Sequence, residues 1–121
     1  MDINEMATQI RTTAILHGWE ETERPMGDWI ALAHTELSEA YEDHRNNHLP
    51  EEIWYNEDGK PEGILVELAD CIIRCLHHMQ FIVDATLEYR QREETFTPSG
   101  IIEEKMKYNE TRPYRHGGKR A

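Results

Sequence analysis

The sequence predicts an all-α fold: an antiparallel bundle of about four helices, completed by homo-oligomerisation, with an extended basic C-terminal tail. Three observations lead there. Apolar residues recur at three- and four-residue spacing along most of the chain. No stretch alternates apolar and polar residues as a half-buried strand does. Pro, Gly, Asn and Asp gather between the periodic stretches, where turns belong.

The elements follow in order. Ile3, Met6, Ile10 and Ala14 share one face of a helix over 2–17, with Asp2 placed to cap it. The segment from His17-Gly18-Trp19 to Pro25-Met26-Gly27 interrupts the pattern. A second helix is expected from Asp28 to Asn46, with Trp29, Leu32, Ala33 and Ala40 on its inward stripe. Residues 47–61, NHLPEEIWYNEDGKP, read as a loop. A long third helix starts near Glu62 and runs to Tyr89 or Arg92. Thr97-Pro98-Ser99 is a capping signal with Pro in the first turn, opening a fourth helix that ends near Glu110. The closing TRPYRHGGKRA is expected to be extended.

The 121 residues fit one domain, 1–121, of which 105–121 form the basic segment. Apolar residues are 38% of the chain and charged residues 31%, leaner than an ordinary globular domain, so a second copy is expected to complete the core. No run nears the roughly 18 apolar residues of a membrane helix, and no basic-then-apolar secretory pattern opens the chain. A cytoplasmic protein with no membrane partner is expected. Cys71 and Cys75, four apart in an apolar run, read as small core residues rather than a disulfide or a zinc site.

The net charge of −11 divides unevenly. Residues 105–121 hold Lys105, Lys107, Arg112, Arg115, Lys119 and Arg120 against Glu110 alone, about +5, leaving about −16 on the rest. An acidic body excludes bulk binding of polymeric nucleic acid. A basic tail beside it suggests a self-contact, or an anionic ligand shared with bound cations.

Two acid pairs share one spacing: Glu36-Leu37-Ser38-Glu39 and Glu67-Leu68-Ala69-Asp70. Residues three apart lie on one helix face, so each pair presents two carboxylates side by side. From Ile64 to Leu76 only Glu67, Asp70 and Arg74 are not apolar, which makes a narrow polar stripe. Glu36 falls on the inward stripe of the second helix. Carboxylates packed inside a bundle repel and lose hydration unless paired or metal-bound, and Mg²⁺ suits such oxygen ligands. Both pairs also fit a plainer reading, as solvated helix surface. Ferritin-like di-iron chemistry is disfavoured, because none of the histidines has a glutamate three residues before it.

These pieces together, HTELSEA (34–40), VELADCIIR (66–74) and EKMKYNETRPYRHGGK (104–119), resemble the MazG-like all-α nucleoside triphosphate pyrophosphohydrolases. The likeness is strongest to small single-domain members related to dCTP and dUTP pyrophosphatases. It implies Mg²⁺-dependent hydrolysis between the α and β phosphates of a nucleoside triphosphate, with Mn²⁺ as an alternative ion, in a homodimer or homotetramer. It also implies Glu36, Glu39, Glu67 and Asp70 as metal ligands, with Glu36 or Glu39 acting on the attacking water. Many members carry a further acid directly before the first pair, where this chain has Thr35. On that reading Lys105, Arg112 and Lys119 reach phosphate oxygens, Asn109 bonds sugar or phosphate, and Trp19 stacks on the base. Two other classes stay open: a nucleotide sensor without catalysis, and a helical interaction module with an acidic face.

Overall fold

The structure is a computed structural model that describes residues 1–114. Four helices carry it: α1 (Ile3–Leu16), α2 (Met26–Arg45), α3 (Ile64–Tyr89) and α4 (Pro98–Glu110). A small hairpin, β1 (Trp54–Tyr55) and β2 (Pro61–Glu62), lies between α2 and α3. The all-α expectation holds, and the caps form as the residue types dictate. Asp2 Oδ1 accepts the Glu5 N–H at 2.8 Å, and Thr97 Oγ1 accepts that of Gly100 at 3.0 Å with Pro98 in the first turn. Helix α2 starts at Met26, two residues ahead of the expected Asp28. Pro25 sits at its N-cap with φ −57°, and its carbonyl accepts the Asp28 N–H at 3.0 Å, so the first turn closes without a side-chain cap.

Helix α3 is the axis on which the other helices pack. Trp29 meets Phe81 while Glu36 meets Arg74, so α2 runs antiparallel to α3. Arg11 reaches Asp84 while Ala14 lines a cavity with Ile73, so α1 is antiparallel to α3 as well. Helix α4 closes one end, where the Ser99 N–H donates to Asn4 Oδ1 at 2.9 Å. The described core is small: Ala7, Ala14, Ala40, Leu76, Val83 and Pro98.

Residues 47–61 were expected to be loop throughout, but they hold most of the hairpin. Trp54 pairs with Glu62 and Tyr55 with Pro61. Its two-residue strands are too short to carry any alternation. Asn56 builds the turn: its Oδ1 accepts the N–H groups of Asp58 at 2.8 Å and Lys60 at 3.0 Å, and Gly59 takes φ +79°. Gly63 joins hairpin to α3 at φ +135°, where a Cβ would lie 2.3 Å from the Glu52 carbonyl oxygen, so this junction requires glycine.

Helix α3 turns its carboxylates inward and much of its apolar surface outward. Glu67 is 8% exposed, whereas Leu65 is 49% and Ile72 57% exposed. The two cysteines share this outer side, which corrects their reading as core: Cys71 is half-buried and Cys75 exposed. No helix among the described residues is long and apolar enough to cross a membrane.

Candidate metal centre

The antiparallel crossing of α2 and α3 sets one acid pair against the other. Glu36, Glu67 and Asp70 each bring a carboxylate oxygen within 4.8 Å of the other two. Glu36 and Glu67 are buried and Asp70 is half-buried. Glu39, more exposed, lies outside this trio but lines the same cavity. The polar stripe of α3 is therefore the buried side of the helix, not its wet side.

The charges are in conflict. Burial, followed by the hydrogen bonds and charges of Glu39, Glu36 and Asp70, pushes the Glu67 carboxyl up to about 8. Its Oε2 is buried and accepts no hydrogen bond among the described residues. Burial likewise raises Asp70, helped by the Glu36 charge and opposed by Lys60 and Arg74. Burial also works against ionising Glu36, yet the Arg74 guanidinium holds its carboxyl below the usual range. Arg74 Nε donates to Glu36 Oε1 at 2.6 Å. An orphaned oxygen among three converging carboxylates is what a hard dication with oxygen ligands would relieve, so the residues fit Mg²⁺.

Two neighbouring spaces that share lining residues open beside the acids. A cavity of about 350 Å³ is lined by Glu36, Glu39, Asp70, Lys60, Ile10 and Ala14, among others. A cleft of about 350 Å³ is lined by Arg24, Trp29 and Leu32. Trp19, Arg74 and His77 line both spaces and so stand at the join. Trp29 sits on the inward stripe and packs edge-on to His77 at 4.6 Å and stacked on His78 at 5.0 Å. Trp19 is 62% exposed, and its ring lies 5.3 Å from that of His17.

Sequence reasoning missed the residues that hold this edge. Glu20 accepts from Arg11 Nη2 at 3.1 Å and lies 2.6 Å from His77 Nε2, while Arg11 also bonds Asp84. The network ties the 17–25 segment, and with it Trp19, to α1 and α3. Its members lie far apart in sequence, so no local motif marks them. Lys60 was also missed: it belongs to a loop in sequence, and only the hairpin turn carries it to the acids.

The described tail residues singled out in the sequence lie outside this site. Lys105 and Asn109 are exposed on α4, with the Lys105 ammonium 4.9 Å from the Tyr108 ring, and Arg112 follows the helix. None of the three is among the residues lining the carboxylate cavity. Lys119 lies outside the described residues. Compared with known proteins, the chain matches no family model, no curated protein and no solved structure.

Proposed function

We propose that the protein is a Mg²⁺-dependent nucleotide pyrophosphohydrolase that cleaves (deoxy)nucleoside triphosphates to monophosphate and pyrophosphate. The observation that carries the reading is the convergence of Glu36, Glu67 and Asp70 from two helices, with the Oε2 of Glu67 buried and without a hydrogen-bond partner among the described residues. The same acids occupy the positions the resemblance assigns to metal ligands. Mg²⁺, or Mn²⁺ in its place, supplies charge neutralisation on the phosphates and acidifies a water when bound. The chain's own part is positional. Glu67 and Asp70 hold the ion from α3, with Glu36 and Glu39 opposite. Glu36, kept ionised by Arg74, orients the attacking water. Trp19 and Trp29 border the cleft that receives the base.

The homo-oligomer belongs to the same reading. Ile30, Leu37, Leu65, Leu68 and Ile72 are exposed on α2 and α3, and a groove of about 450 Å³ runs between the helices beside Ile30, Leu37 and Cys75. A second copy covers this face, and Lys105, Asn109, Arg112 and Lys119 of one protomer then serve the site of another. Light scattering is expected to give two or four times the chain mass of 14.3 kDa. A single-chain mass removes the partner-supplied tail from the mechanism.

The reaction is tested with a panel of nucleoside triphosphates, with Mg²⁺ and with chelator. The expected products are monophosphate and pyrophosphate, absent under chelation. Diphosphate and orthophosphate, or no product from any nucleotide, would overturn the assignment.

A further inference from the structure

We infer that Arg74 and Lys60 divide the phosphate chain between them, Arg74 holding the phosphate next to the nucleoside and Lys60 the terminal pair. The inference rests on the proposed function and adds a register to it. Its basis is the order in which side chains line the two neighbouring spaces, which share Trp19, Arg74 and His77. The aromatic cleft is bordered by Trp19, Trp29, Arg24 and Arg74 and has no carboxylate among its lining residues; of the two arginines only Arg74 also lines the acid cavity. The acid cavity is bordered by Glu36, Asp70, Lys60 and, again, Arg74. A ligand with its flat part in the cleft and its anionic part over the acids meets Arg74 at the join. It meets Lys60 only beyond it.

Both cations are built into place. Arg74 spends its Nε on Glu36 Oε1 at 2.6 Å and keeps its side chain 42% exposed, which leaves the far edge of the guanidinium for an anion. Lys60 is set by the Asn56 turn, whose side-chain oxygen accepts the Lys60 N–H at 3.0 Å. Lys60 lines the same cavity as Glu36, Glu39 and Asp70, so it stands on the carboxylate side. Acids alone would repel a polyphosphate. Arg74 and Lys60 supply the opposite charge beside the acids, with Arg24 in the adjoining cleft, whereas the tail residues Lys105, Asn109 and Arg112 do not line the cavity.

The register is read by competition with the two products, each in the presence of Mg²⁺. Lys60→Ala is expected to weaken pyrophosphate binding about tenfold while monophosphate binding holds. Arg74→Lys, which keeps the charge but loses the fork, is expected to weaken monophosphate binding about tenfold while pyrophosphate holds. Lys60→Ala then raises the KM for triphosphate, and Asn56→Ala, which frees the turn, reproduces part of that rise. Equal losses for both products in both variants would overturn the register, as would no loss in either. A wild-type protein that binds neither product would instead remove the proposed function beneath it. Mn²⁺ binding without nucleotide shows that each variant still has its acid cage, a readout that unfolding would abolish.

Discussion

Glu67→Gln is expected to lower hydrolysis and divalent-metal affinity by at least about a hundredfold, because it removes a ligand and not merely a ligand's support. The same substitution is expected to raise the stability of the metal-free protein at pH 7. The Glu67 carboxyl titrates at about 8 in the folded chain against an ordinary glutamate value of 4.5, so at neutrality it is already protonated when folded. Glutamine copies that neutral shape. Between those two values the folded state binds one more proton than the unfolded state, so wild-type stability falls as pH rises across that window. Glutamine takes no part in that fall. The gain at pH 7 is on the order of 1–3 kcal/mol, shrinking toward pH 4.5 and growing toward pH 8. Thermal melts with chelator across that range check it. A variant that melts below wild type at pH 7 while metal-free, or that still binds Mn²⁺ normally, would contradict the account of Glu67.

Metal binding itself is expected to depend steeply on pH. An ion in the cage requires the Glu67 carboxylate, so below about 8 each binding event expels a proton. Affinity then rises about tenfold per pH unit up to that value and flattens above it, some hundredfold in all between about pH 6 and 8. Calorimetry of Mn²⁺ binding in buffers of different ionisation enthalpy reads the proton directly. Affinity that is flat from pH 6 to 8 would mean that Glu67 is not a ligand.

Legibility in the sequence followed how local each cause is. Helices α1 and α4 were readable at their starts because Asp2 and the Thr97-Pro98 step act within one turn. The acid pairs were readable as neighbours on one helix face, since three-residue spacing decides that alone. Which side of α3 faces inward was not readable. The helix buries Glu67 and exposes Leu65 and Ile72, the reverse of what hydropathy favours in an isolated chain. Cys71 and Cys75 were misplaced for the same reason. The hairpin went unseen because its strands lack the length for a period, and Lys60 went with it. The Arg11–Glu20–His77 network depends on contacts between distant segments, which only packing creates.

The contact between Arg74 and Glu36 has a consequence for the life history of the molecule. A zinc finger has no fold before its metal arrives, so its assembly waits on the ion. Here a guanidinium already offsets one of the buried carboxylates, and burial favours the protonated form of Glu67, so the bundle is expected to keep its shape without a cation. If the proposed function holds, chelation is expected to idle the protein without dismantling it, so that helical circular dichroism survives while hydrolysis is lost and returns with the ion.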